Sequence, residues 1–113
     1  MKFSGICLLA EDVPALSNFY CQLLQVAGKG DDIHQDILCE GMTLAILKNP
    51  DKAAVPSPVV ALVFDVENVD QEFQRLIKMD VPVIAPPQDQ PWGYRNALFI
   101  DPENNQFALR SKI

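Results

Sequence analysis

The chain has 113 residues, 49% hydrophobic and 21% charged, a length and balance that predict one domain with a core of its own. Nine Lys and Arg against 15 Asp and Glu give a net charge of −6 and a pI near 4.5. This argues against a nucleic-acid partner, for want of a basic cluster to displace counterions, and would suit a cationic ligand. The apolar runs, such as residues 59–64, are too short to span a bilayer, and the start of the chain, with Lys2 and no long apolar stretch, predicts no signal peptide.

In chain order, residues 3–10 read as a buried strand. Asp12 makes a helix N-cap and Pro14 fits the first turn. Val13, Leu16, Phe19, Tyr20, Leu23 and Leu24 then recur at helical spacing. Gly28 to Gly30 breaks this pattern. Ile37 to Cys39 and Met42 to Leu47 form a strand pair across a turn at Glu40-Gly41. Cys7, Cys21 and Cys39 are odd in number and lack metal-type spacing, so they are expected as buried free thiols in a reducing compartment, the cytoplasm.

The second half repeats the order. Val59 to Phe64 is a β-branched apolar run, and Asn68 with Gln71 has capping-box spacing. Val69, Phe73, Leu76 and Ile77 form the helix stripe. Val81 to Ala85 reads as a short strand and Pro86 to Gly93 as a loop. The caps Asp12 and Asn68 lie 56 positions apart. The expected organisation is a single domain, 1–113, with module one at about 1–49, a linker at about 50–58 and module two at about 59–113. Each module reads β-α-β-β-β, an α+β arrangement whose sheet is largely antiparallel with the helix on one face.

The end of the chain carries the most specific pattern. Trp92-Gly93 leads into an apolar strand ending at Phe99, then Asp101-Pro102-Glu103-Asn104-Asn105 and a further strand at Phe107 to Leu109. Asp-Pro initiates turns, and Asn tolerates the left-handed backbone they need. This resembles the signature Trp-Gly…Phe-x-Asp-Pro-(Asp/Glu)-Gly-Asn of the glyoxalase/bleomycin-resistance/dioxygenase, or vicinal oxygen chelate, superfamily. The resemblance covers essentially the whole chain. It implies two paired βαβββ modules forming a curved sheet with a concave trough.

The resemblance also implies where a divalent metal would be held, by His, Glu or Gln on the first and last strands of each module. The first-strand position, seven residues before each helix cap, is Gly5 in one module and Ala61 in the other. The last-strand position, three residues after Asn105, is Ala108. Strand 42–47 offers no His, Glu, Asp or Gln in any register, although its register is open at this point. The expectation is therefore no metal, no cofactor and no catalytic residue. The lone His34, within Asp31 to Asp36, reads as a solvated residue, since the run lacks calcium-loop spacing and a single His leaves no triad to infer. Gly28-Lys29-Gly30 is too short for a phosphate loop.

Strand alternation says what else would share the faces of those positions. Gly5 brings Cys7 and Leu9, Ala61 brings Val63, and Ala108 brings Gln106 and Arg110. Trp92, in the 86–93 loop, could stack on a planar ligand, and Arg95 could pair with a ligand carboxylate. The expected ligand-binding set is Trp92, Arg95, Cys7, Leu9, Val63, Gln106 and Arg110. The resulting reading is a cytoplasmic homodimer that binds a small molecule, possessing neither nucleic-acid nor membrane partners and no metal-dependent catalysis. Its rivals are a metal-dependent lyase, isomerase or dioxygenase using His34, Glu40, Tyr94 or Gln106, and a ligand-free interaction module.

Overall fold

The structure is a computed structural model that describes residues 3–48 and 61–113. The expected linker and the first two residues of the 59–64 run lie outside the described residues. Contacts group the chain into two compact units, Met1–Ser57 and Pro58–Ile113.

Unit one runs β1 (Gly5–Ala10), α1 (Val13–Leu24), β2 (Gly28–Gly30), β3 (His34–Cys39) and β4 (Met42–Lys48). Asp12 caps α1 as its carboxylate accepts from the Ala15 amide at 3.1 Å, and Gln25 ends the helix in the left-handed region. The helix buries Val13, Leu16, Tyr20 and Leu23, and β3 and β4 bury Ile37, Leu44 and Ile46. Each such side chain contributes about 1.5–3 kcal/mol of hydrophobic stabilisation. Unit two repeats the order with β5 (Ala61–Asp65), α2 (Val69–Lys78), β6 (Val83–Asp89), β7 (Tyr94–Ile100) and β8 (Gln106–Lys112). Asn68 caps α2 by accepting from the Gln71 amide. The core of this unit is aromatic: Phe99 stacks on Phe107 at 5.3 Å, with Phe73 and Phe64 against them.

The strand order is β1-β4-β3-β2 in one sheet and β5-β8-β7-β6 in the other. Within each, the first strand pairs in parallel with the last, and the remaining pairs are antiparallel. Both units are thus βαβββ modules with mixed four-stranded sheets, because the helical crossover returns the chain parallel to its start.

Four local expectations are corrected or refined. Gly28 to Gly30, which lies beyond the end of α1 at Leu24, is itself an edge strand, held by pairing with Gln35 to Ile37. Residues 86–89, including Pro86 and Pro87, continue strand β6 (Val83–Asp89) rather than starting a loop. Edge strands tolerate proline, and register shifts between Val83 and Gln88 accommodate the missing donors. Ile77 is exposed. The cysteines are free but not buried: Cys7 is exposed, and Cys21 and Cys39 are half-buried.

Candidate functional site

Each sheet has one face packed on its helix and one turned away from it. In β1 the helix side is Ile6, Leu8 and Ala10, which leaves Gly5, Cys7 and Leu9 on the open side. Pairing extends this face in rows across the strands. Gly5 lies beside Thr43 and Leu38, while Cys7 lies beside Ala45 and Asp36. Leu9, Leu47 and His34 make the third row.

In unit two, Phe107 and Leu109 are buried on the α2 side, and strand alternation puts Gln106, Ala108 and Arg110 on the opposite side, where Ala108 is itself buried among its neighbours. Ala61 lies beside Gln106 and Ile100, Val63 beside Ala108 and Leu98, and Asp65 beside Arg110 and Asn96.

The strand pairings of the two units correspond row for row: Gly5–Thr43 matches Ala61–Gln106, and Cys7–Ala45 matches Val63–Ala108. The last-strand position of unit one, open in the sequence, is therefore Ala45. A usable signal was present. Gly41 and Asn104, both at positive φ, each lie four residues before their alanine.

These positions do not fit the divalent ion that the resemblance implies. Gly5, Ala45, Ala61 and Ala108 carry no donor atom. A Cβ on Gly5 would sit 2.0 Å from the Thr43 carbonyl oxygen, so a ligating side chain there requires β1 and β4 to separate. Among the described residues no group of three or more His, Cys, Asp or Glu could hold a metal. His34 lies at the start of β3, its Nε2 3.2 Å from Asp36 on the exposed surface.

The ligand-binding candidates divide. Cys7 and Leu9 share the open face of unit one; Val63, Gln106 and Arg110 share that of unit two. Partial burial, and then the Asp36 carboxylate, hold the Cys7 thiol above its ordinary range. Trp92 stands 65% exposed in the tight turn between β6 and β7, closed by Gly93 donating to the Gln90 carbonyl. Arg95 is set apart. It lies on the α2 side of β7, forked onto Asp70 at the start of α2 and paired with Asp89. Both carboxylates raise its pKa further. Arg110 donates from Nε to Asp65 at 2.6 Å and stacks over the Tyr94 ring at 4.2 Å.

A separate depression of about 520 Å³ lies within unit one at the start of α1, near Asp12, Asp32 and Lys48. Two of its polar groups serve the fold: Lys48 donates to the Glu11 carbonyl, and Asp12 caps the helix. It contains none of the candidates.

The signature near the C-terminus is a turn rather than a chemical group. Asp101 is 3% exposed, and its Oδ1 accepts from the Glu103 and Asn105 amides at 2.8 and 2.9 Å. Asn104 takes the left-handed conformation between them.

Two mixed-sheet βαβββ modules, the second with this turn between its last two strands, define a class of protein. The chain belongs to the Glyoxalase/Bleomycin resistance protein/Dioxygenase superfamily, whose family model matches residues 2–109. No curated protein matches it in sequence. Among solved structures it is similar to a glyoxalase/bleomycin resistance protein/dioxygenase family enzyme from Burkholderia phytofirmans PsJN, with TM-score 0.88, 18% identity and full coverage of both chains. The fosfomycin resistance protein FosX from Listeria monocytogenes gives 0.81 at 18% identity, over 100% of this chain and 94% of that one. Lactoylglutathione lyase from Agrobacterium tumefaciens gives 0.78 at 17%, over 97% and 92%. At such identities these likenesses establish the fold.

Proposed function

We propose that this protein binds a small molecule on the open faces of its sheets and does not perform metal-dependent catalysis. The observation that carries the reading is the set Gly5, Ala45, Ala61 and Ala108, which puts small residues without donor atoms at all four positions, beside apolar neighbours. On the open face of unit two, Val63, 54% exposed, supplies apolar surface and Gln106 and Arg110 supply polar contacts, the usual mixture of a ligand site; on that of unit one, Leu9 and Cys7 supply exposed surface. Trp92, at the hairpin tip, supplies an aromatic face. Thermal-shift screening against a broad compound set tests this directly, because a ligand that binds only the folded state raises apparent stability. Elemental analysis finding stoichiometric Zn, Ni, Fe or Mn, removed together with an activity, overturns it in favour of a metal-dependent lyase, isomerase or dioxygenase.

The protein is further proposed to act as a cytoplasmic homodimer. Three unpaired cysteines suit a reducing compartment. Leu38, 66% exposed on the open face of unit one, is a surface that a second copy would cover, and each four-stranded sheet ends in edge strands that could pair further. Light scattering at micromolar concentration should give twice the 12.6 kDa chain mass; a monomer mass refutes the dimer.

A further inference from the structure

The matched rows of the two units differ in chemistry, and one of the differences sets a charged pair against an apolar one. Where unit one places Leu9 beside Leu47, unit two places Asp65 beside Arg110 in the corresponding register. The framework therefore does not require a charge at this row, since the same pairing is made with two leucines. Arg110 is also held in a defined pose. Its guanidinium lies over the Tyr94 ring, and Nε donates to Asp65. Among the described residues this is its one hydrogen bond, so both Nη groups remain free to donate. They form the edge that matches an oxyanion through two parallel bonds. On the neighbouring strand, Asn96 is the register partner of Arg110, and its Oδ1 already accepts from Gln90 Nε2, which leaves its amide hydrogens as donors. One row along, about 6.7 Å away by strand geometry, lie Val63, Ala108 and Leu98. Donors thus adjoin an apolar row on one face.

We propose that Arg110, positioned by Tyr94 and Asp65, is an oxyanion subsite that receives the carboxylate of a ligand whose apolar body lies on Val63, Ala108 and Leu98. This rests on the small-molecule-binding reading and names its ligand class: an apolar carboxylic acid, rather than the cation that the net charge of −6 would suggest. Whole-molecule charge acts over a screened distance, whereas the guanidinium acts in contact.

The test uses three probes of one shape, 2-naphthoate, 2-naphthamide and 2-naphthylmethylammonium, titrated into the full chain and followed by backbone-amide NMR. The carboxylate should shift the amides of Val63, Leu98, Ala108 and Arg110 and bind at least about tenfold tighter than the neutral amide, the scale of one charge-assisted hydrogen bond. Arg110→Gln should remove that preference, weakening 2-naphthoate at least about tenfold more than 2-naphthamide, a pattern that general destabilisation does not produce. Equal binding of carboxylate and amide by the native protein, tighter binding of the ammonium compound, or a preference that survives Arg110→Gln overturns the subsite and leaves the binding reading standing. Failure of all three probes to bind at millimolar concentration also overturns the subsite, while the compound screen decides the broader reading independently.

Discussion

Asp101 illustrates how a signature residue can serve the fold alone. Its buried carboxylate accepts the backbone amides of Glu103 and Asn105 within a five-residue turn and a further bond from the Asn105 side chain. Asp101→Ala should cost about 2–3 kcal/mol, since hydrogen bonds to a charged group are lost and amides are left unpaired; a urea melt with unchanged slope would measure it. Cys7 offers a pH readout of the open face. Burial and then Asp36 raise its pKa, so the thiol stays protonated at neutral pH despite its exposure. Alkylation should therefore be slow at pH 7 and rise with an apparent pKa above that of a free thiol. Asp36→Asn should move it part of the way back. The linked stability has a definite sign: it is fully present below the ordinary thiol pKa and is lost as pH rises through the elevated native one.

At the level of elements, the β6–β7 hairpin decides the role of Trp92. A tryptophan in a core would cost about 3–5 kcal/mol when truncated. Here the ring is 65% exposed on a turn, so Trp92→Ala should change stability by no more than about 0.5 kcal/mol. The emission of this single tryptophan should already be red-shifted in the native protein and move little on denaturation. A bound planar ligand should quench it, and the substitution should weaken binding by about 1–3 kcal/mol if the turn borders the site. Large destabilisation with unchanged affinity would refute the binding role. The hairpin itself was only half legible beforehand. Pro86-Pro87 signals a loop locally, and only the edge position of β6 makes those residues compatible with a strand.

For the whole molecule, the absence of donors at Gly5, Ala45, Ala61 and Ala108 has a thermodynamic consequence. A resident metal stabilises the state that holds it. Calorimetry should therefore find the same melting temperature with EDTA, with no addition, and with excess Zn, Ni or Mn. A rise of several degrees with one metal, reversed by the chelator, would contradict the proposed mode of action. No described helix is long and apolar enough to cross a membrane.

Local chemistry made much of this protein readable from its sequence. Asp12 and Asn68 cap their helices through their own side chains, the Glu40-Gly41 turn needs only its own backbone, and apolar periodicity marks which helix face is buried. The repeat of βαβββ modules followed from these signals, and the superfamily from one turn motif. Pairing between distant strands was not written locally. Only the tertiary structure set β1 beside β4 and β5 beside β8, and so resolved Ala45 as the fourth small residue. The same placement turned Arg95 toward Asp70 on the α2 side and left Arg110 on the open face over Tyr94. The reason is physical: a strand's side chains alternate every residue, so their partners depend on register, and register is settled by contacts made far along the chain.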